Sequence, residues 1–332
     1  MMKKIIQQLT QSKRVLLASH TSPDGDAIGA LLAMGISLEK VGCQVVLYNE
    51  SSIPAVYRFL PAVGRIRNRV EDVNRFDTAV ILDCGTLERV GTFADDVAKK
   101  VPIIINIDHH ATNTGFGHFQ LVSEKACATS QIVYQLVQAM GVEMDASVAT
   151  AIYTGILTDT GSFRFSNTNR EAFAICEKMV AMGVDPSEVA RHVYGTYSLG
   201  RIKLLNLALD SIEISNNGHL SIMTVTKEML TETETHAEDA DGLINYARRI
   251  RDVKVAALIH EQENGNGNSG RQKRFHVSLR SDGSVDVSRI AMGFGGGGHA
   301  GAAGFSVESS LSELKQTIYN LSDGFCDSCQ LN

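Results

Sequence analysis

Three short hydrophobic segments in the first third of the chain each end in a histidine or an aspartate. RVLLASH ends at His20, TAVILD ends at Asp83 and PIIINID ends at Asp108. Continuous β-branched runs of this length are typical of strands buried on both faces, as in a parallel sheet covered by helices. Helical stretches separate these segments, and Thr129 or Ser130 is expected to cap a further helix. The pattern therefore predicts an α/β fold with an N-terminal doubly wound, mainly parallel sheet.

The length of 332 residues exceeds what one hydrophobic core usually supports, so two domains are expected. Residues 1–190 are assigned to the sheet domain, residues 191–210 to a helical connector, and residues 211–325 to a smaller α/β domain. In the second domain, IEISNNGHLSIMTV predicts a hairpin that turns at Gly218, and DADGLINYARRIR predicts an amphipathic helix. VKVAALIHEQ and KRFHVSLRSD predict two strands, with residues 263–272 as the loop between them.

Charge and composition exclude several classes of protein. The formal net charge is −6, whereas a protein that coats long nucleic acid normally carries a strongly basic surface. No apolar run approaches the ~20 residues of a membrane span, and the N-terminus lacks the apolar core of a signal peptide. A cytoplasmic protein that does not bind membranes is therefore expected. The six cysteines are too scattered for a disulfide scaffold, and Cys326 and Cys329 are expected to be free thiols.

Carboxylates and imidazoles are predicted to meet at one edge of the sheet, because ligands of open α/β sheets bind at the carboxyl ends of the strands. The loop HTSPDGD adds Asp24 and Asp26 to this edge, and GILTDTGSF adds Asp159. One such aspartate alone is more often a turn former or a helix cap. Five crowded carboxylates, however, cannot all ionise unless cations compensate them. The sequence therefore predicts a polynuclear metal site.

The ligand types limit the choice of metal and of chemistry. Carboxylates and imidazoles without thiolates suit Mn²⁺ or Mg²⁺, with Fe²⁺, Co²⁺ and Zn²⁺ left open. Two such ions ~3.5–4 Å apart clamp a phosphoryl group during in-line displacement. Phosphoester hydrolysis is the predicted chemistry.

Five segments resemble the motifs of a known family. HTSPDGDAIG, VILDCG, NIDHH and GILTDTGSF resemble the four motifs of the DHH phosphoesterases, and DVSRIAMGFGGGGHAGAAG resembles the signature of the associated DHHA1 domain. The resemblance covers nearly the whole chain and is greatest to the oligoribonuclease (nano-RNase) and pAp phosphatase branch. It implies an enzyme that uses a dimetal-bound hydroxide to hydrolyse very short oligoribonucleotides to mononucleotides and to remove the 3′-phosphate of pAp.

The resemblance also implies roles for individual residues. Two Mn²⁺ ions are implied, with Mg²⁺ or Co²⁺ as alternatives, and their ligands are His20, Asp24, Asp26, Asp83, His109 and Asp159, of which Asp83 bridges. The catalytic residues implied are His110, which faces the substrate, and Asp108, which orients an imidazole. Substrate phosphate is expected to contact Arg280, Gly296, Gly297, Gly298 and His299. Family members often carry a basic residue soon after GGGGH, where this chain has Ala300 and Gly301.

Several alternatives remain open from the sequence. A phosphodiesterase of cyclic dinucleotides, or of linear dinucleotides of the pApA type, shares the same motifs. A non-catalytic nucleotide-binding sensor would keep the fold but lose a metal ligand, and none is lost here. A homodimer is compatible with the family. Residues 241–305 contain nine Lys and Arg against six Asp and Glu, a local net charge of +3 that suits a short anionic substrate.

Overall fold

A computed structural model describes residues 1–195, 197–262 and 273–325. The chain divides into two compact units, Met1–Thr196 and Tyr197–Asn332. The predicted loop at residues 263–272 and the Cys326–Cys329 pair lie outside the described residues. Across the described ranges, no helix combines the length and the apolar character needed to cross a bilayer.

The first unit is built on a five-stranded sheet in which every neighbouring pair of strands is parallel. The strand order is β2-β1-β3-β4-β5. The strands are β1 (Arg14–Ser19), β2 (Gln44–Tyr48), β3 (Thr78–Leu82), β4 (Ile103–Asp108) and β5 (Phe119–Val122). This sheet confirms the predicted α/β class. Strand β5 was not predicted, since its four residues are half-buried or exposed at the edge and lack a hydrophobic run.

Helices cover both faces of this sheet. They are α1 (Met2–Gln11), α2 (Gly25–Lys40), α3 (Ala94–Lys100), α4 (Thr129–Ala139), α5 (Ala146–Asp159), α6 (Arg170–Ala181) and α7 (Pro186–Tyr194). Along β1, Leu17 packs in the core beneath α2, α4 and α5, whereas Leu16 and Ala18 pack in the core beneath α3. Burial on both faces explains why these strands are continuous hydrophobic runs.

Helices α2 and α5 pack closely because glycines lie at their contact. A Cβ on Gly29 would lie 2.4 Å from the carbonyl oxygen of Ala151 and 3.1 Å from the backbone nitrogen of Gly155. A Cβ on Gly25 would lie 2.4 Å from Oγ1 of Thr158. The start of α2 therefore meets the end of α5, which brings the loop after β1 close to the C-terminus of α5.

The second unit contains a six-stranded sheet in the order β10-β11-β9-β8-β7-β6. Only the β7–β8 pair is parallel among its described strands. The strands are β6 (Glu213–Ile214), β7 (Leu220–Val225), β8 (Val255–Glu261), β9 (Lys273–Ser281), β10 (Gly297–His299) and β11 (Ala302–Ser309). The helices are α8 (Leu199–Asp210), α9 (Lys227–Glu232), α10 (Ile244–Arg248), α11 (Val287–Gly293) and α12 (Leu311–Asn320).

The second unit agrees with the sequence in part. The β6–β7 hairpin turns at Gly218, which has a φ of 76°. Of the predicted connector, residues 191–194 end α7 in the first unit and residues 199–210 form α8, whose Leu204 and Ala208 pack in a core with Met223 of β7. The predicted helix in DADGLINYARRIR was too long, since α10 has only five residues. Gly242 precedes it with a φ of 81°, a left-handed backbone that an α-helix does not accommodate.

Substituting Gly29 by Ala should destabilise the first unit. The added Cβ meets backbone on α5, which can move only with the whole helix, so overpacking by roughly 1–3 kcal/mol outweighs the better helix propensity of Ala. The matched control is Gly64→Ala, where a Cβ has no neighbour within 4 Å. Thermal unfolding followed by circular dichroism should give a lower Tm for Gly29→Ala only. A Tm equal to that of the control would contradict the close α2–α5 contact.

Candidate metal centre

The strand order places the predicted ligands at one edge of the first sheet. Strand β3 lies between β1 and β4, and all three run in the same direction. His20, Asp83 and Asp108 follow or end these strands, so they lie side by side. All three residues are buried, with at most 5% of their surface exposed.

His20, Asp24 and Asp83 form a first group. Nε2 of His20 lies 3.4 Å from Oδ2 of Asp83 and 4.0 Å from Oδ1 of Asp24. Nδ1 of His20 lies 2.9 Å from the carbonyl oxygen of Thr21, an acceptor, so Nδ1 carries the proton. Nε2 is thus the nitrogen that faces the two carboxylates. It donates to Asp83 while the ring carries a second proton, and its lone pair becomes available to a metal ion once that proton leaves.

Asp26, His109 and Asp159 form a second group. Nε2 of His109 lies 3.5 Å from Oδ2 of Asp159 and 4.0 Å from Oδ2 of Asp26. The backbone N–H groups of Thr129 and Ser130 donate to the two oxygens of Asp26 at 2.6 and 2.8 Å. The N-terminus of α4 therefore fixes this carboxylate and favours its negative charge.

Asp83 lies between the two groups. Its Oδ2 faces His20, and its Oδ1 is 3.7 Å from Nε2 of His109. Oγ1 of Thr129 donates to the same Oδ1 at 2.9 Å. The backbone of Asp83 has a φ of 58°, a left-handed conformation that costs free energy for a residue with a Cβ. This turn at the end of β3 directs one carboxylate toward both groups.

The cluster contains more negative charge than its imidazoles balance. Burial and the charge of Asp83 raise the pKa of Asp26 to about 7. Burial and the charges of Asp26 and Asp24 raise the pKa of Asp159 well above its ordinary value. Burial acts in the same sense on Asp83, but the hydrogen bond with His20 and the nearby imidazoles outweigh it and lower the pKa of Asp83. The carboxylates stay ionised together only if cations join them.

The donor atoms of each group fit a divalent cation. Those of His20, Asp24 and Asp83 lie within 4.8 Å of one another, as do those of Asp26, His109 and Asp159. Carboxylate oxygens combined with imidazole nitrogens are suitable ligands for Mn²⁺ and related ions. The six predicted metal ligands are therefore brought together as two adjacent groups that could each hold a metal ion.

Asp108 and His110 form a separate pair beside Asp83. Nδ1 of His110 donates to Oδ1 of Asp108 at 2.7 Å, and Nδ2 of Asn113 donates to Oδ2 of Asp108 at 2.6 Å. Burial lowers the pKa of His110, but the hydrogen bond to Asp108 and the charge of Asp83 outweigh it and raise that pKa. One oxygen of Asp108 thus accepts from the ring of His110 and the other from Asn113, a geometry that suits orienting His110.

Some supporting residues were not predicted. Thr129 or Ser130 was expected to cap α4, but that prediction was wrong, since Ala128 is the N-cap and the Thr129 hydroxyl donates to Asp83. Nδ2 of Asn167 donates to Oδ2 of Asp159 at 3.1 Å, and Asn113 holds Asp108. Both asparagines follow their partners by five to eight residues. Asparagine a short distance after a motif aspartate is a weak signal, because the same residue is common in turns.

The predicted substrate-binding residues of the second unit lie on adjacent strands. Ala302 of β11 is paired with Arg280 of β9 on one side and with His299 of β10 on the other. Residues paired in this way project from the same face, so Arg280 and His299 flank a small alanine. A Cβ on Gly296 or Gly298 would lie within 2.5 Å of a β11 carbonyl oxygen, whereas Gly297 has no neighbour within 4 Å. Close strand packing thus accounts for Gly296 and Gly298 but not for Gly297.

Comparisons with known proteins agree with this geometry. Residues 14–156 match the DHH family N-terminal domain, and residues 220–323 match the DHHA1 domain. The chain is 33% identical over 297 residues to the bifunctional oligoribonuclease and PAP phosphatase NrnA of Thermus thermophilus, covering 89% of this chain and 84% of that one. It is 24% identical to the cyclic-di-AMP phosphodiesterase GdpP of Bacillus subtilis, over 95% of this chain and 49% of GdpP.

A solved structure has the same fold. The crystal structure of an exopolyphosphatase-related protein from Bacteroides fragilis superposes with a TM-score of 0.87 at 26% identity. The superposition covers 98% of this chain and 97% of that one.

Substituting Asp24 by Asn should weaken metal binding without disturbing the fold. Oδ1 of Asp24 caps α2 by accepting from the N–H groups of Asp26 and Ala27, and asparagine caps a helix equally well. The variant should keep the metal-free Tm but lose most of the rise in Tm caused by Mn²⁺, a rise worth ~2.7 kcal/mol at 100 times the Kd.

The matched control for this substitution is Asp185→Asn. Asp185 caps α7 through the same two kinds of contact, to the N–H groups of Ser187 and Glu188. Its variant should show the full Mn²⁺-dependent rise in Tm. Equal metal responses in the two variants would contradict a role for Asp24 as a ligand.

Proposed function

Since the chain belongs to the DHH family of phosphoesterases, we propose that it hydrolyses very short oligoribonucleotides to mononucleotides and removes the 3′-phosphate of pAp. The chain is a phosphoric ester hydrolase by family. The two adjacent ligand groups that meet at Asp83 are the observation that carries the proposal. The likeness to NrnA along almost the whole chain supports these substrates.

In this proposal the two groups hold two Mn²⁺ ions. His20, Asp24 and Asp83 hold one ion, while Asp26, Asp83, His109 and Asp159 hold the other. When bound, the pair supplies a strong nucleophile from water and neutralises the charge of the scissile phosphate. The backbone contacts of His20 and Asp26 support this assignment, because they fix the ligands before any ion arrives.

His110 is the residue that handles the proton in this proposal. The hydrogen bond to Asp108 fixes the proton on Nδ1 and holds the ring in one orientation. The opposite nitrogen, Nε2, then donates to the phosphate or to the leaving oxygen as negative charge develops there. Asp108 contributes by positioning His110, with Asn113 holding Asp108 in turn.

Arg280 and the glycine segment of the second unit bind the substrate in this proposal. A guanidinium group can bind phosphate through two parallel hydrogen bonds. His299 adds a second donor on the same face of the sheet, across Ala302. The open space at Gly297 lets a phosphate approach the backbone N–H groups.

A second candidate function is hydrolysis of cyclic dinucleotides or of their linear pApA-type products. The likeness to GdpP over 95% of this chain favours it. The chain matches about half of the length of GdpP, so the shared part is the DHH and DHHA1 region. Relative kcat/KM values for the substrates of both candidates separate them.

The proposed function is tested by assaying pAp, pApA, a short RNA such as a tetranucleotide, and cyclic di-AMP side by side with Mn²⁺. The wild type should give the highest kcat/KM for RNA or pAp. Asp83→Asn should lower turnover of every substrate by roughly 100-fold or more, because a ligand is weakened in both groups. Asparagine tolerates the left-handed backbone, so the variant should fold.

The control for Asp83→Asn is Asp95→Asn, which neutralises a carboxylate whose side chain is 84% exposed. This variant should retain the full turnover. Unchanged turnover in Asp83→Asn would overturn the dimetal mechanism, and a preference for cyclic di-AMP would favour the second candidate.

Substituting Gly297 by Ala tests the role of the glycine segment. The protein itself leaves room for the methyl group, so the Tm should stay unchanged. A phosphate that approaches this backbone would meet the methyl group, and KM should rise by roughly tenfold with little change in kcat. The control is Gly293→Ala at the end of α11, which is equally open. Equal KM values in the two variants would exclude substrate from this position.

A further inference from the structure

A polar cavity lies at the carboxyl end of β2, beside the metal centre. Its volume is about 440 Å³, and its lining includes Asn49, Ser51, Ser52, Arg67 and Arg69. Strand β2 neighbours β1, which leads into His20, so the cavity opens on the ligand-binding edge of the same sheet. None of these residues belongs to the two ligand groups or to the Asp108–His110 pair.

Two hydrogen bonds join the cavity wall to the loop that carries the metal ligands. Nδ2 of Asn49 donates to the carbonyl oxygen of His20 at 2.8 Å. The backbone N–H of Ser22 donates to Oγ of Ser51 at 2.8 Å. The lining of the cavity is therefore joined directly to the loop that carries His20 and Asp24.

The backbone that carries the arginines is also held by the sheet. The N–H of Arg67 donates to the carbonyl oxygen of Leu47 at 2.9 Å, and the N–H of Asn49 donates to the carbonyl oxygen of Arg67 at 3.1 Å. Arg67 thereby forms a parallel bridge to Tyr48 and extends the sheet by one position beyond β2. The cationic side of the cavity is thus anchored to regular structure.

The positive charge in the cavity has no acidic partner among the described residues. Arg65 forms an ion pair with Glu39, but neither Arg67 nor Arg69 forms one within the described ranges. The nearby acid, Glu50, instead accepts from the N–H and the hydroxyl of Thr92. Two exposed guanidinium groups facing a cavity with serine hydroxyls suit a phosphate group.

We propose that this cavity binds the phosphodiester of the nucleotide next to the scissile one in a short oligoribonucleotide. The inference rests on the proposed function and adds a subsite for substrates longer than the reacting unit. Phosphate contacts of this kind set the register of a strand without reading its bases, and the cavity lining contains no aromatic ring that would stack on a base. Arg67 and Arg69 are therefore positioning residues for the strand.

The test compares Arg67→Gln/Arg69→Gln with the wild type on two substrates, both with Mn²⁺. An RNA tetranucleotide reaches the cavity, whereas bis(p-nitrophenyl) phosphate has a single phosphate and fills only the reacting position. The double variant should show a roughly tenfold higher KM for the tetranucleotide with an unchanged kcat. Its kcat/KM for bis(p-nitrophenyl) phosphate should equal that of the wild type.

Salt dependence supplies a readout that a structural defect would not produce. Loss of one phosphate contact should make the plot of log kcat/KM against log salt concentration shallower by about 0.7 for the tetranucleotide. Arg67→Lys/Arg69→Lys keeps the charges and should keep the wild-type slope. The control Lys99→Gln/Lys100→Gln removes two cations at the end of α3, just before β4 and so at the opposite edge of the sheet, and should change neither value.

The outcomes separate this inference from the proposed function. If the wild type hydrolyses the tetranucleotide and the Gln double variant matches it in KM and in salt slope, the subsite is excluded and the function stands. If the wild type leaves RNA intact but hydrolyses bis(p-nitrophenyl) phosphate, the proposed function fails. If the Gln double variant loses activity on both substrates together with Tm, the single variants Arg67→Gln and Arg69→Gln replace it, and wild-type KM and salt slope on the tetranucleotide in both folded single variants would exclude the subsite.

Discussion

Repulsion among buried carboxylates is the constraint on which the first unit depends. Asp26 and Asp83 are buried and Asp159 is half-buried beside them, and burial together with the neighbouring negative charges raises the pKa of Asp26 and of Asp159. The surrounding structure holds them in place with backbone N–H groups, a threonine hydroxyl and an asparagine amide. Repulsion among these carboxylates destabilises the metal-free unit, and divalent cations relieve it. The stability of the first unit and its metal chemistry therefore depend on the same interaction.

Helix packing explains how the site can be so compact. Glycines on α2 and α5 allow the two helices to touch backbone to backbone. This contact brings Asp26, near the start of α2, toward Asp159 at the end of α5. A larger residue at Gly155 would collide with Ser130, whose N–H holds Asp26. The glycines therefore determine the spacing of the ligands although none of them binds anything.

The sequence predicted the parallel sheet and placed His20, Asp83 and Asp108 at one edge, because the carboxyl ends of parallel strands lie side by side; the full set of six ligands came from the family resemblance. It missed features that depend on contacts distant in the chain. Threonine is a common helix N-cap, but the hydroxyl of Thr129 donates to Asp83 because the end of β3 lies beside it. Likewise, the five-residue length of α10 depends on the positive φ of Gly242, which a hydrophobic pattern does not reveal. The cavity at Arg67 forms through a bridge between segments with no shared motif.

The carboxylate of Asp24 both caps α2 and belongs to the first ligand group. Its Oδ1 accepts from the N–H groups of Asp26 and Ala27 at the start of α2, and the same oxygen lies 4.0 Å from Nε2 of His20 in the first ligand group. An ion bound by this carboxylate also stabilises the first turn of the helix. Ion binding at the centre is therefore coupled to local unfolding of that turn. The exchange of the amide protons of Asp26 and Ala27 with solvent should consequently slow as the centre binds ions, so it reports the occupancy of the centre.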